Sequence, residues 1–202
     1  MVKLDTMINC VSFMFFGIGM LMPWNAMLAS MSFYIEVYPD YKPSFALLMA
    51  VSAPIFGVQA LVFFAMQKIS QHIKLTFTFG LNTVITFLLV VIPLQVSNEK
   101  LSYTIVLILS VIFGISYAFL QSGLYGAAGP SPPLTNCLTI GLGFSALALN
   151  LLSMILLAAT GDVYTSARVF FYITGVFMLV CTVMAFRFIE QHKRLVKESQ
   201  DK

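Results

Sequence analysis

Residues 101–128 read LSYTIVLILSVIFGISYAFLQSGLYGAA and contain no Asp, Glu, Lys, Arg or His. A helix needs about 20 apolar residues to cross the hydrocarbon core of a bilayer, so this stretch is long enough to span one. A barrel strand would alternate apolar and polar residues, whereas the run from Ile105 to Phe113 does not alternate. The stretch therefore predicts a transmembrane α-helix, and the fold depends on how many similar stretches the chain contains.

Five further uncharged stretches lie on either side of this one. Hydrophobic residues make up 59% of the chain and charged residues only 9%, against about 25% charged in soluble domains. The sequence therefore predicts an all-α polytopic membrane protein, a single transmembrane domain over residues 1–202. Six helices are expected at residues 7–34, 44–67, 75–98, 101–128, 134–161 and 169–186, with a cytosolic tail at 187–202 that continues the sixth helix.

Basic residues are distributed unevenly between the two ends of the predicted spans. If the N-terminus is cytosolic, three of the 11 Lys and Arg residues fall on the opposite side, namely Lys42, Lys100 and Arg168. The positive-inside rule then predicts that both termini are cytosolic, as an even number of spans requires. The plasma membrane is favoured over an organelle membrane. The cytosolic set is Lys3, Lys68, Lys74, Arg187, Lys193, Arg194, Lys197 and Lys202.

The predicted spans contain no carboxylate or His, and the chain has no P-loop, Rossmann glycine pattern, His-Glu-x-x-His motif or nucleophile elbow. We therefore expect no enzyme activity, no cofactor, no metal site and no nucleic-acid polymer as a partner. The cysteines Cys10, Cys137 and Cys181 are interpreted as small apolar fillers rather than disulfide partners or metal ligands. A pathway through these spans has to be formed by neutral polar groups, aromatic rings and helix breaks.

The first span contains a cluster that is unusual for the middle of a membrane. Pro23 lacks a backbone N–H and is expected to kink the helix, while Trp24 adds a flat ring and Asn25 an amide. Trp24 belongs to a stripe of residues at helical spacing that is suited to a flat heterocycle, and Asn25 lies at the edge of this stripe. The alternative is structural, with Asn25 hydrogen-bonded to a neighbouring helix and Trp24 simply packed. The stripe comprises Gly17, Leu21, Trp24 and Leu28, with Asn25 at its edge.

Polar residues on the fourth span also share a face. Tyr117, Gln121 and Tyr125 follow one another at intervals of four residues. A buried Gln between two Tyr side chains can match donor and acceptor edges of a base, although Tyr125 also fits an interfacial aromatic belt.

The second and fifth spans carry weaker signals. Pro54 and Gly57 predict another kink, with Ser52, Ile55 and Gln59 facing a neighbouring cavity. On the fifth span close helix packing is favoured over a pathway lining. The small and polar residues concerned are Thr139, Gly143, Ala146, Asn150 and Ser153, together with the small-xxx-small pair Gly141 and Ser145.

Two of these motifs carry a family resemblance. GMLMPWN at 19–25, followed by Ser-Phe-Tyr at 32–34, resembles the first-helix signature of equilibrative nucleoside transporters. LQSGLYGAAG at 120–129, followed by a proline, is similar to that family's Gln-Gly-Ser-Leu-Phe-Gly-x-x-Gly pattern. Gly-Leu-Gly at 141–143, Ser-Ala at 166–167 and Phe-Tyr-Ile at 171–173 match in order and spacing, so the resemblance covers nearly the whole chain.

The resemblance implies a fold like that of the major facilitator superfamily, with 202 residues forming its N-terminal six-helix bundle. It implies facilitative movement of nucleosides, or of nucleobases, across the lipid bilayer. Gln121 would hydrogen-bond the base, and Ile55 and Ser52 would contact substrate from the second helix, Ser52 standing where some members have a larger apolar residue. The first helix would contribute Leu21, Trp24, Asn25 and Leu28.

The main departure from the family is length, because the family's C-terminal helices, which handle the ribose, have no counterpart in these 202 residues. We expect this bundle to need a second one, supplied by a missing C-terminal half, another copy or a partner subunit. The rival hypothesis is a non-transporting structural or scaffold subunit derived from a nucleoside transporter.

Overall fold

The computed structural model describes residues 2–65, 70 and 73–200, and this part of the chain is helical without strands. Six of its helices are long and apolar enough to cross a membrane. The prediction of an all-α, multi-pass membrane protein is therefore confirmed. The end of the predicted second span, residues 66 and 67, lies outside the described residues, as do Lys68 and Lys202.

The chain forms seven α-helices in the described part. A short 3₁₀ turn at Pro39–Tyr41 precedes the third helix, and a π-helical turn at Ile73–Phe77 leads directly into the fourth. The α-helices are α1 (Val2–Ala29), α2 (Met31–Val37), α3 (Pro43–Ala65), α4 (Thr78–Gln95), α5 (Glu99–Ala128), α6 (Pro132–Thr160) and α7 (Val163–Gln200).

The first predicted span, residues 7–34, is interrupted at Ser30, where the backbone leaves helical geometry between α1 and α2. The interruption brings Phe33 and Tyr34 into the core, where both are fully buried. The Tyr34 hydroxyl donates a hydrogen bond to the carbonyl of Leu89 on α4 at 3.1 Å. This burial of two aromatic side chains is the reason why one predicted helix becomes two.

Helices α1 and α6 pack with their backbones in direct contact. A Cβ atom on Gly141 would collide with the carbonyl oxygen of Met14, and one on Gly17 would collide with the carbonyl oxygen of Leu138. Only glycine fits at these two positions. Small residues of this kind let transmembrane helices approach closely where lipid supplies no hydrophobic driving force.

Within this bundle, α6 packs through one of the two sets of small residues that the sequence predicts for helix packing. Leu138, Gly141, Ser145 and Leu149 are buried, whereas Gly143, with Thr139 and Asn150, is exposed. Each residue turns an α-helix by about 100°, so Gly143 points away from the side that Gly141 presents to α1. Within this bundle α6 therefore packs through the Gly141 and Ser145 pair, and close packing through Thr139, Gly143 and Asn150 stays a prediction.

The remaining spans complete the bundle, with α3 lying on α5 and α4 lying between α5 and α7. Helix α7 begins after a capped turn, in which the Asp162 carboxylate accepts hydrogen bonds from the backbone N–H groups of Thr165 at 2.7 Å and Tyr164 at 3.4 Å. The hydrogen bonds from Thr165 hold the pKa of Asp162 below its usual range. A carboxylate at a helix N-terminus is the favourable arrangement for this end of α7.

Candidate functional site

A partly open cavity of about 300 Å³ lies between α1, α3 and α5. This volume is at the lower end of the range of about 300 to 1,000 Å³ that is typical of small-molecule sites. Its walls are apolar and aromatic except for a hydroxyl from Ser52, a phenol from Tyr117 and two carboxamides. The lining residues are Leu21, Trp24, Ser52, Ile55, Phe56, Gln59, Tyr117 and Gln121.

Helical spacing explains how these side chains converge. Leu21 and Trp24 are three residues apart on α1, and Tyr117 and Gln121 are four residues apart on α5. Side chains three or four positions apart lie on one face of a helix. Close contact between α3 and α5 adds Ile55 and Gln59 of α3 to the α5 side chains. This contact is possible because Gly114 lets the Val51 carbonyl lie where a Cβ would stand.

A hydrogen bond joins the two carboxamides across the cavity wall. The Gln59 Nε2 group on α3 donates to Gln121 Oε1 on α5. Both amides remain partly accessible, so each keeps hydrogen-bonding capacity for a ligand. The Tyr117 ring above Gln121 is itself held by the Phe113 ring, with ring centroids 6.1 Å apart.

The structure brings together four of the residues that the sequence predicts for a binding site. Leu21, Trp24, Ile55 and Gln121 all line the cavity, and Ser52 lies beside them. The predicted partner of Gln121 on its helix face, Tyr125, is not among the lining residues.

Asn25 and Leu28 are not among the lining residues either. The Asn25 Nδ2 group donates to Ser145 Oγ on α6 at 3.3 Å, because position 25 is rotated by about 100° from Trp24 toward that helix. Leu28 is exposed on the bundle surface. This contact is the hydrogen bond to a neighbouring helix that the structural alternative predicts for Asn25. A substrate contact of Asn25 or Leu28 stays a prediction.

Sequence reasoning did not find Phe56 or the bond between Gln59 and Gln121. Gln59 was placed near a cavity because it follows Ile55 by one helical turn, but no sequence signal indicated its partner 62 residues later. Phe56 is adjacent to Ile55 and largely exposed, so an apolar lipid-facing residue would look the same in the sequence.

Another buried amide lies outside the cavity. Asn82 on α4 is fully buried, and in the described part of the chain neither its nitrogen nor its oxygen has a hydrogen-bond partner. Asn82 was not predicted as a notable residue, because a single Asn in an apolar span has no motif around it.

The cysteines are not among the residues that line the cavity. All three cysteines are free thiols. Among the residues that the structure describes, no group of three or more His, Cys, Asp or Glu side chains is arranged to hold a metal ion. The cavity is thus a neutral site of rings, aliphatic groups and amides.

Comparison with curated proteins gives several similar sequences, while no family model matches. Equilibrative nucleotide transporter 4 of Arabidopsis thaliana is 28% identical over 189 residues, which is 90% of this chain and 44% of the relative. Equilibrative nucleotide transporter 7 of the same plant is 28% identical over 146 residues, which is 70% of this chain and 34% of the relative. Equilibrative nucleotide transporter 6, also of this plant, is 31% identical over 112 residues, which is 54% of this chain and 27% of the relative. The chain spans less than half the length of each of these relatives.

Proposed function

We propose that the chain serves facilitative transport of nucleosides or nucleobases. The proposal is supported by its similarity to the equilibrative nucleotide transporters, which the motifs of its first and fourth spans predict. In this role it forms the N-terminal bundle of the transporter and one wall of its substrate site. The observation that carries the proposal is the cavity in which the Trp24 ring faces the same space as the Gln121 amide.

The cavity chemistry favours a neutral solute with a flat ring. All eight lining side chains are uncharged, whereas phosphate groups are usually bound by Arg or Lys. The Trp24 indole offers a stacking surface for a base, and stacking on an aromatic side chain contributes about 1 to 3 kcal/mol per base in other proteins. Leu21 and Ile55 supply apolar walls, and Gln121 supplies the donor and acceptor that orient the base edge.

The second wall of the site is proposed to come from further helices. Only 11% of the residues in the apolar segment of α3 and 17% in that of α6 are buried inside the bundle, against 39% to 50% in the other four spans. These two helices flank α1 and α5, so helices packed on them would also cover the open side of the cavity. A C-terminal half, a second copy or a partner subunit can supply them, and substrate sites between two bundles are usual for alternating access.

The orientation that we propose has both termini in the cytosol, on the basis of the basic-residue asymmetry, with the plasma membrane favoured as the location. With six spans, the chain then enters and leaves the membrane on the cytosolic side. We also propose that the mouth of the cavity faces the second bundle rather than lipid.

Trp24 allows a direct test because it is the single Trp of the chain. The chain in lipid nanodiscs is titrated with uridine, adenosine and uracil while indole fluorescence is excited at the red edge of its band, where these solutes do not absorb. Stacking on Trp24 predicts saturable quenching by nucleosides or bases and none by ribose alone.

The control variant is Trp24→Phe with a Trp placed at Phe186 on the exposed surface of α7, which should show no saturable quenching. If no nucleoside or base quenches Trp24 up to its solubility limit, either in this chain or in an assembly that supplies the second wall, the binding assignment is wrong and a scaffold role becomes the better explanation.

A further inference from the structure

We propose that Gln59 and Gln121 read the edge of the base as a pair, which makes Gln59 a specificity-determining residue of the cavity. This inference rests on the proposed function, since it names how that site distinguishes its substrates. It adds a residue on α3 and a mechanism for accepting bases of opposite hydrogen-bonding pattern.

The hydrogen bond between the amides determines what each one offers a ligand. A carboxamide has two N–H donors and a carbonyl oxygen with two lone pairs. With Gln59 Nε2 donating to Gln121 Oε1, the Nε2 group of Gln121 stays available as a donor and Oε1 of Gln59 as an acceptor. The pair can therefore present one donor and one acceptor to the cavity that both residues line.

This pattern complements the edge of uridine, whose O4 acceptor lies beside its N3–H donor. O4 accepts from Gln121, and N3–H donates to Gln59. Cytidine presents the reverse, an N4 amino donor beside an N3 acceptor, on a base of the same size and with the same ribose.

The amide pair can reverse its own pattern without losing its internal bond. The terminal torsion of Gln is broad and roughly two-fold. If both amides rotate by half a turn, Gln121 donates to Gln59, and the cavity then sees an acceptor on Gln121 and a donor on Gln59. Uridine and cytidine can therefore bind in the same pose, each with two hydrogen bonds.

A purely structural role for the bond is the competing explanation, with the two amides joining α3 to α5. These helices are already in backbone contact at Gly114 and Val51. A structural role would affect all ligands of the cavity alike, whereas base reading affects only ligands with hydrogen-bonding edges. The two explanations therefore differ in a measurable way.

The test measures dissociation constants by quenching of Trp24 for uridine, cytidine and a riboside that carries an unsubstituted phenyl ring in place of the base. In the unmodified chain the constants for uridine and cytidine should agree within about twofold, because each base makes the same number of bonds. Gln59→Leu should weaken both by about 2- to 12-fold, the loss expected for one neutral hydrogen bond. The phenyl riboside should bind as before.

Two further variants serve as controls for the Gln59→Leu result. Gln59→Asn keeps an amide but is too short to span the same distance, so it should behave like Gln59→Leu if the pair reads the base. Gln95→Leu makes the same substitution at the exposed end of α4 and should leave all three constants unchanged.

The outcomes separate this inference from the proposed function. Unchanged uridine and cytidine binding in Gln59→Leu, or an equal loss for the phenyl riboside, would refute the paired reading while nucleoside binding itself stands. A preference of more than about tenfold for one of the two nucleosides in the unmodified chain would refute the coupled rotation. Failure of every nucleoside to quench Trp24 would overturn the proposed function and the paired reading with it.

Discussion

Gln121 has a neutral amide in a cavity whose other walls are mostly rings and aliphatic groups. Gln121→Leu keeps approximate bulk but removes the hydrogen bonds, so nucleoside affinity should fall by about 0.5 to 1.5 kcal/mol. Competition binding of adenosine and uridine measures this loss, with the second wall of the site present. The protein should still insert and fold. Unchanged affinity together with a lower thermal midpoint would show that Gln121 only joins helices.

Asn82 is a second residue whose environment makes a definite prediction. An unpartnered buried polar group costs about 1 to 3 kcal/mol, and both polar atoms of this amide are unpartnered in the described part of the chain. Thr has nearly the same volume, and its hydroxyl can donate to the carbonyl four residues earlier, as Thr83 and Thr86 do. Asn82→Thr should therefore raise the free energy of unfolding by about 1 to 2 kcal/mol.

Thermal unfolding in nanodiscs measures this change, with Thr86→Val as the control. That variant removes a bond already made and should not stabilise the protein. A lower midpoint for Asn82→Thr would mean that the amide has a polar partner in the membrane, such as a bound water.

Two glycines on one helix provide a matched pair at the scale of the elements. Gly141 contacts the backbone of α1, whereas Gly143 has open space where a Cβ would be. Gly141→Ala should force α1 and α6 apart and destabilise the protein by about 1 to 3 kcal/mol. Gly143→Ala should be neutral or stabilising, since Ala favours the helix over Gly by about 1 kcal/mol.

Thermal unfolding of the two variants side by side measures the difference. Equal midpoints would contradict the close approach of α1 and α6 at Gly141. Because the two sites differ by only two positions on one helix, changes in insertion or lipid contact affect both variants similarly.

The spans could be predicted from charge and length, whereas the contacts between the helices could not. Uncharged runs mark the six membrane-crossing helices because a charge at depth is costly. The interruption at Ser30 depends on what Phe33 and Tyr34 contact in other helices, which no local pattern contains. On α6, small residues occur on more than one face, so spacing alone did not show that Gly141 rather than Gly143 meets α1.

The same reasoning applies to the cavity. Leu21 and Trp24 were predictable from their stripe, and Gln121 from its neighbours on α5, because each lies on a face that helical spacing defines. Asn25 lies at the edge of that stripe, and only the position of Ser145 on α6 decides its hydrogen bond. The contact between Gln59 and Gln121 joins two helices, and its existence depends on their register.

At the scale of the whole molecule, the orientation in the membrane is open to a direct test. Both termini should be cytosolic, since eight of the 11 basic residues would then lie on that side. Epitope tags at each end should resist protease added outside sealed cells and be cut after permeabilisation. Cleavage of either tag in sealed cells would contradict this topology.

Transport by the isolated chain is a separate question, because the cavity is open on one side. The 202-residue chain in liposomes should give no saturable uridine or adenosine flux. Radiolabelled uptake, with excess unlabelled nucleoside as the control, measures this. Competable uptake by a demonstrated monomer would show that one bundle is sufficient.

The backbone contact of α1 with α6 also has a mechanical consequence. Gly17 and Gly141 bring the two helix backbones into direct contact, so we expect α1 and α6 to move as one unit. Trp24 lies about two turns beyond Gly17 on α1, and the hydrogen bond from Asn25 to Ser145 joins the two helices again nearby. We therefore expect a displacement of α6 to displace the indole ring as well, whereas Gln59 and Gln121 lie on a different pair of helices.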